Sequence, residues 1–169
     1  MLIRLAEPSD AAAIAEIYNA EVLGSTATFD LVPRSLEAQR EWLRDRTGAM
    51  AAIVAVIEDD IAGFASLSPY RSRPAYSTTV ENSIYVHTDH RRKGIAQELM
   101  AALVTTARSH GFHSMVARIA DGAPASVALH TAAGFDLVGI EREVGRKFNR
   151  WRDVHVMQLL LDTPGRDPR

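Results

Sequence analysis

The stretch from Thr79 to Gly111 limits the possible folds more than any other. It reads TVENSIYVHT, then DHRRKGIA, then a long run ending in SHG. The first piece alternates and is rich in β-branched residues, which predicts a strand. The last piece repeats Ile95, Leu99, Leu103 and Ala107 one turn apart, which predicts an amphipathic helix closing at Gly111. Between them lie Arg91, Arg92, Lys93 and Gly94. A helix start exposes unpaired N–H groups and a partial positive charge, so it is a ready seat for an anion. Gly94 removes a side chain where a phosphate would approach the backbone, Ala96 is nearly as small, and arginine can grip a phosphate with two parallel bonds. The run lacks the glycines of GxGxxG and the Lys-Ser/Thr pair of a Walker A loop.

The flanking sequence sets this unit in a mixed α/β layout. LIRLA predicts a strand, and EPSDAAAIAEIYNAEV a helix capped by Ser9 or Asp10 with Ile14, Ile17, Tyr18 and Val22 inward. GSTATFDLVP is a loop. RSLEAQREWLRDRTG predicts a helix ending at Gly48, with Leu36, Trp42 and Leu43 on its buried stripe. AAIVAVIE and IAGFASLSPY predict a hairpin about the DD turn, and RSRPAYS a connecting loop. FHSMVARIA predicts a strand, APASVALHTAAGF a short helix closing on Gly134, and DLVGIEREVG and RWRDVHVMQLLL two strands about a turn near residues 147–149. The expected order is β-α-α-β-β-β-α-β-α-β-β, one central sheet flanked by helices. With 169 residues, a single domain over residues 1–163 is expected, with a flexible tail over 164–169.

Composition narrows the chemistry. There are no cysteines, which removes disulfides, thiolate metal sites and cysteine nucleophiles. A net charge of −2 gives no global field for nucleic acid or membrane, so neither is expected as a partner. No run approaches the roughly 18 apolar residues of a membrane span, and the N-terminus lacks signal-peptide anatomy, so a cytoplasmic location is expected. His87, Asp89 and His90 lie close in sequence, but no third imidazole has ligand spacing, so no metal is expected.

Alternation on the central strand puts Val80, Asn82, Ile84 and Val86 on one face, read as core. Glu81, Ser83, Tyr85 and His87 lie on the other. Polar groups in mid-sheet need partners or a wet cleft. Arg91-x-x-Gly94-x-Ala96 after SIYV resembles the acetyl-CoA pyrophosphate loop of the GNAT acyltransferase superfamily, and the element order is that family's order. IYN, STATFD, TVENSIYV, SVALH..AGF and REVGRKFNRW.DV..MQL resemble its phosphinothricin and methionine sulfoximine N-acetyltransferase branch over nearly the whole chain.

The resemblance implies a GNAT fold, with a central, mostly antiparallel sheet. It also implies acetyl-CoA as co-substrate and direct acetylation of the α-amine of a small amino-acid analogue, with no covalent enzyme intermediate. Glu81 matches the branch's proposed base, and a carboxylate in a partly dry cleft suits that work. His130 stands where many relatives carry a tyrosine acid, and histidine can donate near neutral pH; packing of its ring against the sheet is the rival role. Main-chain contacts to the pantetheine arm fall to Tyr85, Val86 and His87. Pyrophosphate contacts fall to Arg91, Arg92, Lys93, Gly94, Ile95, Ala96, Gln97 and Glu98. Ala123 stands where relatives usually have asparagine, so no asparagine contact carries over. For a small anionic acceptor, Arg71, Arg73 and Lys147 are the candidate cations, Phe29 and Tyr76 the candidate apolar walls, and a homodimer is implied. Rival readings are an acetyltransferase for a polyamine or a peptide N-terminus, and a non-catalytic acyl-CoA-binding sensor.

Overall fold

A computed structural model describes residues 1–161. The expected tail at 164–169, and the domain boundary at 163, lie outside the described residues. The strands are β1 (Leu2–Leu5), β2 (Ile53–Ile57), β3 (Asp60–Pro69), β4 (Thr79–Val86), β5 (Ser114–Ala120), β6 (Asp136–Lys147) and β7 (Arg150–Leu160). The helices are α1 (Ala11–Gly24), α2 (Leu36–Arg44), α3 (Ile95–Ser109) and α4 (Pro124–Ala132). The expected element order is the observed one.

The strands form one mixed sheet in the order β1-β2-β3-β4-β5-β7-β6. β4 and β5 run parallel, while the other neighbours run antiparallel. The parallel pair needs a long crossover, which α3 supplies. Helices cover both faces. Ile95, Leu99 and Leu103 of α3 pack with Met115 and Met157 on one side, and Ile14, Ile17 and Tyr18 of α1 pack with Phe64 on the other. As expected from alternation, Val80 is core and Ile84 and Val86 pack beside it.

Local chemistry shifts several boundaries. α2 stops at Arg44, and Gly48 instead opens a separate short 3-10 turn. The residue that α2 buries completely is Gln39, while Leu36 is 41% exposed. Gln39 is drawn in by Arg34, whose Nη1 donates to its Oε1 at 3.4 Å. Asp10 precedes α1 but makes no side-chain cap. Its carboxylate accepts two bonds from Arg4, at 2.7 and 3.0 Å, and is held well below the usual carboxylate range by them. The β2–β3 hairpin turns on Glu58 and Asp59, one residue before the DD pair, because those two take the positive φ a tight turn demands.

Candidate functional site

β4 and β5 pair only over Thr79–Glu81 against Ser114–Val116. Beyond that register they part like the arms of a fork. A cleft of about 950 Å³ opens there, bounded by Asn82 to Val86 on one arm and Ala117 to Ala120 on the other. α4, the start of α3 and the loop at residues 25–29 complete its walls. Buried strand edges need hydrogen-bond partners, so an extended ligand with amide groups fits the gap.

The turn at the mouth builds the anion seat. After Val86 the chain makes a 3-10 turn over Thr88–His90, and Arg92 and Gly94 take φ of 61° and 81°. Gly94 is the N-cap of α3. A Cβ built there meets nothing within 4 Å, so glycine is needed for its left-handed backbone and faces open space. Glu98 N–H returns to the Gly94 carbonyl, which leaves the N–H groups of the first turn directed at the cleft. Of the residues expected to hold the cofactor, Tyr85, Val86, Arg91, Arg92, Gly94, Ile95, Ala96 and Gln97 line the cleft; His87, Lys93 and Glu98 are not among its walls. Arg91 is ion-paired to Glu21 of α1, which also accepts a hydrogen bond from Ser25. That guanidinium is thus tied to the end of α1.

Glu81 stands at the apex of the fork and lines the cleft. Burial pushes its carboxyl above the usual range; nearby Arg118 works against that rise and Glu141 adds to it. On the opposite face of β4, Asn82 is buried and its Nδ2 lies 3.0 Å from His130 Nε2. His130 Nδ1 lies 2.7 Å from the Ser126 carbonyl, so Nδ1 carries the proton and Nε2 accepts from Asn82. Burial lowers the pKa of His130, which favours the neutral ring. In this arrangement its one proton is committed to the α4 backbone.

The residues expected at the acceptor end divide. Phe29 and Glu81 line the cleft; Arg71, Arg73, Tyr76 and Lys147 do not. Arg71, Arg73 and Tyr76 are exposed, with the Arg71 guanidinium 5.0 Å from the Tyr70 ring and 5.6 Å from the Tyr76 ring. Lys147 is 3% exposed, and its Nζ donates to the Thr28 carbonyl at 2.7 Å and the Glu21 carbonyl at 3.4 Å. It braces the wall from behind. The same loop is fixed by Tyr18, whose hydroxyl donates to Asp30 at 2.6 Å and lies 2.9 Å from Thr28 Oγ1. Phe29 rests on Gly145, where an added Cβ would fall 2.3 Å from its ring.

Four contributors escape a reading of the sequence. Asn82 falls on the strand face expected to be core; a polar residue in that apolar series was the available signal. Arg118 and Glu141 are 23 positions apart and meet only through the β5-β7-β6 pairing. Glu21 sits among the inward positions of an ordinary amphipathic helix.

Comparison with known proteins gives the arrangement a context. Residues 3–156 match the family model described as acetyltransferase (GNAT) domain. The L-amino acid N-acyltransferase MnaT of Escherichia coli strain K12 is 40% identical over 163 residues, covering 96% of this chain and 95% of that protein. The L-methionine sulfoximine/L-methionine sulfone acetyltransferase of Pseudomonas paraeruginosa is 38% identical, covering 95% of this chain and 94% of its own. The crystal structure of the phosphinothricin acetyltransferase from Sinorhizobium meliloti in complex with AcCoA superposes with a TM-score of 0.93 at 36% identity. It covers 99% of this chain and 92% of that one.

Proposed function

The chain belongs to the GNAT acetyltransferase family, and from that premise we propose that it acetylates the α-amine of a small amino-acid analogue of the methionine sulfoximine, methionine sulfone or phosphinothricin type. It is an N-acetyltransferase with acetyl-CoA as co-substrate. The observation that carries the substrate reading is the fork: a gap between two strand arms, with a carboxylate at its apex and an apolar Phe29 wall beside it. Relatives named for amino-acid acceptors, 38–40% identical over nearly the whole chain, support the same class.

In this reading the pyrophosphate sits on the N–H groups at the start of α3, and the pantetheine arm runs along the freed edge of β4. Glu81 takes a proton from the acceptor ammonium, directly or through a water. The freed amine attacks the thioester carbonyl and the C–N bond forms. The C–S bond then breaks, and the CoA thiolate takes up, directly or through water, the second proton that the attacking nitrogen sheds, leaving a neutral amide and the free thiol. Backbone N–H groups at the fork are the donors available to the oxyanion. Transfer is direct in this reading: the chain has no cysteine, and among the described residues no serine hydroxyl of the cleft is paired with a histidine base that would make it a nucleophile. His130 acts here by holding Asn82 in the cleft wall. The last hairpin leaves Val138, Val144, Phe148 and Trp151 at least half exposed, which supports a homodimer formed through that surface. Sedimentation should give a dimer, and Trp151→Glu should shift it toward monomer.

The acceptor class is tested by assaying thiol release with methionine sulfoximine, methionine sulfone, phosphinothricin, a polyamine and a short peptide. Free amino-acid analogues should lead the ranking by kcat/KM. A leading polyamine or peptide would overturn the assignment. Glu81→Gln should lower kcat by about 10²–10⁴-fold while acetyl-CoA affinity stays near wild type. Unchanged turnover would remove Glu81 as the base.

A further inference from the structure

The parallel register that sets Glu81 opposite Val116 puts Arg118 two residues further along β5, on the same sheet face, where it also lines the cleft. Arg118 does not stand alone. Its Nη1 donates to Glu141 Oε1 at 3.2 Å and its Nη2 to Glu141 Oε2, a two-pronged bond that fixes the guanidinium plane. The other surroundings of Glu81 bring little charge. Across β3 its partner is Ser68. Glu21 on α1 is neutralised by Arg91. His130 on α4 belongs to the opposite face of β4, bonded to Asn82. Among the described residues, Arg71 and Arg73 of the preceding loop form no ion pair with Glu81.

We propose that Arg118, clamped by Glu141, is a positioning residue that keeps the Glu81 carboxylate ionised at the apex of the fork. The proposal rests on Glu81 serving as the base. Burial alone pushes the Glu81 carboxyl up and so works against its ionised form, the one that takes a proton. A free arginine at the same place would collapse onto it as a salt bridge and occupy its lone pairs. Glu141 resolves the conflict by holding the guanidinium at a distance, so that its field reaches Glu81 while the carboxylate stays open to an amine. Burial pushes the Glu81 carboxyl up, Arg118 works against that rise, and Glu141 adds to it.

The test compares the acid limb of kcat/KM for methionine sulfone in wild type, Arg118→Gln, Arg118→Lys and Glu141→Gln. A carbon-13 NMR titration of the Glu81 carboxyl in each protein, assigned against Glu81→Gln, accompanies it. Arg118→Gln should move both readouts up by about half a pH unit, about threefold in rate below the midpoint, from Coulomb interaction across a partly wet gap. Arg118→Lys keeps the charge and should leave the midpoint near wild type. Glu141→Gln should move it down, because an anion is lost and the guanidinium is freed toward Glu81. Shifts in opposite directions support the proposal; no shift, or shifts of the same sign, overturn it. Since NMR reads Glu81 without catalysis, the two readings fail separately. An acid limb that survives in Glu81→Gln removes the base reading, whereas a Glu81 titration indifferent to Arg118 removes only this one.

Discussion

At Gly94 a single backbone angle sets the start of α3, where the cofactor seat is proposed. The residue has φ of 81°, where a β-branched side chain is a strained outlier, and it caps the helix whose free N–H groups face the cleft. Arg92 beside it also has positive φ, but its side chain reaches solvent. If the backbone seat dominates, Gly94→Val should raise the acetyl-CoA KM by tenfold or more, and Arg92→Ala by less than about fivefold, since exposed charge pairs contribute about 1 kcal/mol or less. Steady-state kinetics with acetyl-CoA varied and acceptor saturating reads this directly; the reverse order would put the binding energy in side-chain charge. Gly94 and Glu81 were both legible because each breaks a local pattern, one a charge run and one a strand. Asn82 was not, since its meaning lies in His130, which is 48 positions away.

The elements were legible in order because each carries its own period, 3.6 for helices and 2 for strands, whatever its neighbours do. Their mutual placement was not. Lys147 read as an acceptor cation because a small anionic acceptor needs cations to meet it and the last hairpin offers one. The fold instead turns the end of β6 under the loop after α1, where Nζ meets carbonyls 119 and 126 positions earlier in the chain. The hairpin is thus a strap, and Gly145 is its contact with Phe29. A methyl group at position 145 cannot fit against that ring, so the ring must swing and carry the acceptor wall with it. Gly145→Ala should therefore raise the acceptor KM by about tenfold or more and leave the acetyl-CoA KM within about twofold, because the cofactor seat belongs to α3. Equal effects on both constants would mean that the strap supports the whole cleft.

For the whole molecule, the fork is an interruption in the sheet. β4 keeps its pairing with β3 through Val86 but loses β5 after Glu81, and β5 keeps β7 but loses β4 after Val116, which leaves two facing edges inside the sheet. The sequence gives no sign of this, for a strand that separates from its neighbour carries the same alternation as one that stays. Nor does α3 reveal it, although its crossover makes the parallel pair and its first turn reaches the mouth of the gap. A ligand that supplies amide groups along those edges completes the sheet, so binding and folding are linked. At free acetyl-CoA about 100 times its Kd, linkage adds about 2.7 kcal/mol to the unfolding free energy. The thermal midpoint should rise with ligand concentration, and amide exchange should slow at residues 82–86 and 117–120 more than in β1 or β2. In Gly94→Val the midpoint shift should shrink at the same ligand concentration while the free-protein exchange pattern in the fork is kept. Protection confined to the start of α3, with no slowing on either arm, would mean that the nucleotide end binds while the arm of the cofactor stays outside the fork.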